Sequence, residues 1–203
     1  MTIKEKMITL VAGGVFLTLA TFGQTTKTVK DYLGLTKPIL FDHVSYNLVW
    51  TNHPTDNYYK QEYLSQNDTL EKFKKLVTID VLVGNINLKD IVASKLSELK
   101  KMKESNPVVN YQTFGKGDEI MLDFLLSQNT PNGKYLSVVE RNVYRYKNVI
   151  DKNGQKAVLL FAVSERAYGD DIDKFLANLK AHRLNLLNLV GAFNIPDIRI
   201  VKK

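Results

Sequence analysis

Residues 135–166 read YLSVVERNVYRYKNVIDKNGQKAVLLFAVSER, two long β-rich runs separated by Asp151-Lys152-Asn153-Gly154. Residues that tolerate turn geometry sit between runs rich in β-branched and aromatic side chains, the pattern of a hairpin. Ala157 to Val163 is apolar at every position, as expected of a central strand covered on both faces. Tyr135 to Lys147 carries Glu140, Arg141 and Arg145 inside its strand, and Lys156 to Arg166 ends on Glu165 and Arg166.

Working outward, Val108 to Phe114 and Glu119 to Ser127 extend the meander on the N-terminal side, separated by Gly115-Lys116-Gly117. Before them, Val77 to Val83 is a strand candidate, and Leu88 to Lys103 has apolar residues at helical spacing behind Asn87, a capping residue. Val44 to Thr51 and Tyr58 to Leu64 form a further hairpin, and Thr69 to Leu76 is expected as a short helix. Asp170-Asp171 opens a last helix, with Ile172, Phe175, Leu176, Leu179, Leu186, Leu187 and Val190 in phase, and Ile198 to Val201 could add a short strand. The expected fold class is α+β: a mostly antiparallel sheet with helices packed on both faces, an α/β/α sandwich. Strand–helix–strand, then consecutive long strands and a C-terminal helix, resembles the PsbP-like fold over residues 41–195; the local echoes are Val138 to Tyr146, Ala157 to Arg166 and the helix from Asp170. That resemblance implies a non-enzymatic binding or accessory module and carries over no catalytic residue.

The N-terminus bears on compartment. Lys4 and Lys6 precede the apolar run Met7 to Phe22, which ends in small residues with Gly23 before Gln24. These are the three parts of a secretory signal, and the run is short for a bilayer span. The expected organisation is a signal peptide at 1–23, a flexible leader at 24–40 and one domain at 41–203, placing the chain in the periplasm or outside the cell with no membrane span after processing. Lys4, Glu5 and Lys6 account for one unit of the +7 net charge, leaving +6 on the remainder. A basic surface suits an anionic envelope component or an envelope protein as partner. The positive charges are scattered and no nucleic-acid module signature is present, so nucleic acid is not expected.

The absence of cysteine excludes disulfides, thiolate metal sites and a cysteine nucleophile. There is no G-x-S-x-G elbow and no phosphate loop, so neither a catalytic set nor a cofactor is assigned. His43 and His53 flank the first strand, but their spacing matches no zinc motif, and His182 reads as a solvent-facing helical position. No metal site is assigned.

The strand-borne charges are the informative set. With period-two alternation, Asp123, Arg141 and Glu165 would line one sheet face as a ladder, and Glu140 with Arg166 the other. This reads first as register-fixing ion pairs. The functional alternative is an anion site at Arg141, Arg145 and Arg166, because guanidinium grips carboxylate or phosphate bidentately. Tyr144, Tyr146 and Lys147 are the candidate partner-binding residues. Two functions are compatible with these features: a non-catalytic binding module of the envelope, or an envelope hydrolase working through a carboxylate site, since two carboxylates can suffice for glycoside hydrolysis.

Overall fold

The computed structural model describes residues 29–201. The expected signal peptide at 1–23 lies outside the described residues. The chain runs β1 (Ile39–Phe41), β2 (Val44–Thr55), β3 (Tyr58–Leu64), β4 (Lys75–Val83), α1 (Leu88–Ser105), β5 (Asn110–Lys116), β6 (Glu119–Asn129), β7 (Leu136–Ile150), β8 (Lys156–Tyr168), a 3-10 turn (Gly169–Asp171) and α2 (Ile172–Ala192).

All eight strands join one antiparallel sheet in the order β1-β2-β3-β4-β8-β7-β6-β5. Only the β4–β8 neighbours are distant in sequence. Between them the chain forms α1 and β5 to β7.

The architecture corrects the expected α/β/α sandwich: the sheet is an eight-stranded curled half-barrel, with two helices among the described residues. Strands of 12, 11, 15 and 13 residues in β2, β6, β7 and β8 accumulate the right-handed twist of β-structure and curl instead of lying as a flat layer. Among the described residues each face carries one helix, too little to cover so long a surface as a layer. α2 packs with Val77, Ile79, Val81, Phe161 and Val163, whereas α1 packs with Leu82, Leu122, Phe124, Leu160 and Ala162. The alternation of strand side chains divides these residues, odd numbers in β4 and β8 facing α2 and even numbers facing α1.

Three local expectations are also corrected. Thr69 to Leu76 is not a helix: Asp68 and Thr69 turn their side chains onto the backbone N–H groups of Lys74 and Lys72, which holds turns in place of helical bonds. Ile198 to Val201 joins no strand ladder. It is a strap, with the N–H groups of Arg199 and Val201 donating to the carbonyls of Leu33 and Tyr32. The stretch expected as a leader is partly built into the domain, since Leu33 is fully buried and Ile39–Phe41 is a strand. β1 turns into β2 through Asp42 and His43, both at positive φ (50° and 62°), a two-residue hairpin turn.

Candidate functional site

On the α2 face, the expected Asp123–Arg141 pair is present and more elaborate than a strand ladder. Arg141 Nε and Nη2 donate to the two oxygens of Asp123 at 3.1 and 3.2 Å, and both side chains are buried. A third partner comes from α2: Arg183 Nε donates to Asp123 at 3.0 Å, and the Arg183 carbonyl accepts from Arg141 Nη2 at 2.5 Å. The helix leaves regular geometry at His182 (φ −127°, ψ 28°), one residue before the carbonyl that Arg141 uses. Glu165, the expected third rung, stands directly opposite Arg141 in the register but pairs with Lys75 at 3.3 Å. Arg145 braces the end of the same helix. It grips Glu119 with two bonds, at 2.8 and 3.1 Å, and donates to the carbonyls of Val190 and Phe193. With these donors engaged inside the protein, Arg141 and Arg145 are internal braces.

The α1 face differs. The register places Lys60 opposite Asp80 and Asp80 opposite Leu160; Glu62 opposite Thr78, Thr78 opposite Ala162 and Ala162 opposite Tyr144; Ser164 opposite Asn142; and Arg166 opposite Glu140. Directly opposed residues share a face, so these polar side chains form one patch across β3, β4, β8 and β7. α1 adds Lys95. Together they line a cavity of about 40 Å³.

Arg166 binds Glu140 through Nε and lies 4.1 Å from the ring centroid of Phe73. Glu140 also accepts from Asn142 at 2.8 Å, and Asn142 accepts from Ser164 at 2.6 Å. Lys60 pairs with Glu62 at 3.1 Å, and Lys95 with Glu98 at 3.0 Å. Asp80 receives the Tyr58 hydroxyl at 2.8 Å on Oδ2, while its buried Oδ1 has no hydrogen-bond partner among the described residues. A buried carboxylate oxygen left unpaired costs free energy, so this atom is an open acceptor.

Burial pushes the Asp80 carboxyl up to about 6, against the lowering influence of Lys60 and of the Tyr58 hydrogen bond. Burial likewise lowers the Lys95 ammonium, with Glu98 opposing. For Lys60, burial pulls the ammonium down, but Asp80 and Glu62 outweigh it and hold it above its ordinary value.

Of the residues singled out from sequence, Glu140, Arg166 and Tyr144 line this cavity, and the expected Glu140–Arg166 pair is formed there. Tyr146 is buried in the core beneath α1, which removes it as a partner-binding surface, and Lys147 is exposed. His53 stacks on Tyr59 with ring centroids 4.2 Å apart, and the tautomer protonated on Nδ1 donates to the Tyr58 carbonyl at 3.0 Å. Among the described residues no three His, Asp or Glu side chains converge to hold a metal ion. Lys60, Glu62, Asp80 and Lys95 were missed. Two signals were present: Asp80 interrupts VTIDVLV, and Lys95 falls in phase with Leu88, Ile91, Val92 and Leu99 on the buried stripe of α1.

Fold and site together define an antiparallel half-barrel with a charged cavity between one sheet face and a single helix. A family model matches residues 33–195, from the buried Leu33 to just beyond α2, and the chain belongs to that family. No curated protein matches it.

Proposed function

We propose that the chain is a non-catalytic binding module exported to the cell envelope, and that it takes its ligand at the cavity beneath α1. The observation that carries this reading is the open Oδ1 of Asp80 in a cavity ringed by further polar groups. Buried polar atoms are almost always satisfied, so an unpartnered carboxylate oxygen on a residue that lines a cavity is an acceptor that a ligand's donor can satisfy. The N-terminal Lys4/Lys6 start with its apolar run supports export, and a positive net charge suits an envelope component as partner. A binding role is also what the resemblance of element order to PsbP-like proteins implies.

The test is hydrogen exchange on the purified protein with and without envelope extract. New protection in β4 and α1 around Asp80 and Lys95 is expected. Protection confined to other surfaces would move the site elsewhere.

One observation favours the second reading, a hydrolase. A carboxyl held near 6 beside an open cavity is suited to general acid catalysis. Turnover of glycan, ester or phosphoester substrates that vanishes in Asp80→Asn with the fold intact would replace the binding reading.

A further inference from the structure

The ligand class can be read from the cavity's charge balance, size and open hydrogen-bonding capacity; the argument rests on the cavity being a binding site. Its walls hold three cations, Lys60, Lys95 and Arg166, and three carboxylates, Glu62, Asp80 and Glu140. A cationic ligand would enter among three like charges and an anionic one among three others, each losing its own hydration on the way. A neutral ligand disturbs neither balance.

Size narrows the choice. One water needs roughly 10–15 Å³ of such space. A volume of about 40 Å³ therefore admits a polar end-group of a few heavy atoms and excludes a whole ring.

The open groups complete the description. Asp80 Oδ1 requires a donor. Lys60 and Lys95 each direct one charge-assisted bond to a carboxylate, and an ammonium has three donors to offer. The matching group must donate to a carboxylate and accept from an ammonium while remaining uncharged. A hydroxyl does both, and two adjacent hydroxyls meet both sides of the cavity.

We propose that the cavity binds a neutral vicinal diol, the hydroxyl pair of a sugar or of a glycerol unit, with one hydroxyl donating to Asp80 Oδ1 and the pair accepting from the ammonium groups of Lys60 and Lys95. Trp50 lies directly opposite Glu62 in the β2–β3 register and so shares this face. Its half-buried ring, 5.9 Å from Lys60 Nζ, offers an apolar surface to the carbons of a diol whose larger remainder stays outside.

The experiment is a titration of the ¹⁵N-labelled protein with four probes: glycerol, methyl glucoside, acetate and methylammonium. Saturable shifts of the Thr78 and Asp80 amides are expected with glycerol or methyl glucoside, and the tighter of the two identifies the source of the diol. Asp80→Asn should weaken the diol about tenfold or more, because a hydrogen bond to a charged acceptor is lost. The same variant leaves the walls with surplus positive charge, so acetate should begin to bind. Thr78→Val, which changes no charge, should leave acetate unbound. Acetate or methylammonium binding the unaltered protein more tightly than both diols would overturn the ligand class while leaving the cavity a binding site. No saturable shift with any probe would remove the cavity as a binding site and take the diol with it.

Discussion

The two faces of the curled sheet use the same kinds of charged residue to different ends. On the α2 face, Asp123 is enclosed by Arg141 and Arg183, and Arg145 closes onto Glu119 and two carbonyls at the end of α2. On the α1 face, Asp80 keeps an oxygen and Tyr146 a hydroxyl that have no partner among the described residues. The first arrangement locks a helix to a sheet. The second leaves polar capacity on a sheet face that also carries a cavity.

The largest effect is expected where the comparison is sharpest. Arg141→Leu removes the cation that joins Asp123 to the backbone of α2. Breaking a buried pair on one side costs about 3–5 kcal/mol. Chemical denaturation should show that loss, together with faster hydrogen exchange in α2. A change under about 1 kcal/mol would mean that Asp123 is satisfied by Arg183 alone and that the brace is redundant. Leu33→Ala probes the same face without touching charge. Leu33 is fully buried among residues of the α2-side core, and such truncations cost about 2–5 kcal/mol. A negligible effect would return residues 29–38 to the status of a leader.

On the α1 face the expected effect is smaller and depends on pH. The Asp80 carboxyl rises from 3.8 to about 6 on folding, so the folded protein holds the proton more tightly than the unfolded chain. The resulting stabilisation is complete below about pH 4 and lost as pH rises through about 6, with an upper bound of about 3 kcal/mol. Asp80→Asn should therefore flatten this part of the stability profile and gain on the unaltered protein as pH rises from 4 to 7. Parallel profiles for the two proteins would show that Asp80 is ionised and satisfied throughout, erasing the contrast between the faces.

How much of this was legible in the sequence depends on the range of the signal. Tight turns and period-two alternation are local, so the β7–β8 hairpin and the side of the sheet on which each charge sits could be read. The turn centres on Asn153, inside the Asp151–Gly154 stretch, which sets Glu165 directly opposite Arg141 and keeps the two on one face. Curl is not local. It accumulates along strands and across eight neighbours, and element order alone suggested a layered sandwich instead. The short helix expected at Thr69 to Leu76 failed because Asp68 and Thr69 offered the backbone better partners than a helix would. The cavity was illegible for another reason: Lys60, Asp80, Lys95 and Glu140 come from four elements, and only the β4–β8 pairing and the placement of α1 bring them together. Asp80 in VTIDVLV and Lys95 in the stripe of α1 were visible anomalies, but nothing in the chain order says that they face one another.

The smallest predicted effect concerns Glu165, where the two kinds of pairing can be weighed on one residue. Glu165 is Arg141's direct register partner, yet its ion pair is with Lys75, which also lies 3.6 Å from Asp42. The side chains of Lys75 and Glu165 are 22% and 25% exposed, against 3% each for Arg141 and Asp123. Water reaches the first pair and screens it, so its worth falls within the range of about 0.2–1 kcal/mol measured for exposed pairs. A double-mutant cycle of Glu165→Gln with Lys75→Met should give a coupling in that range, reduced by salt. A second cycle, Glu165→Gln with Arg141→Leu, should give less, because the two side chains share register but no bond. A coupling above about 1 kcal/mol between Arg141 and Glu165 would instead join Asp123, Arg141 and Glu165 into one continuous ladder, and the α2 face would then be braced across three strands and not two.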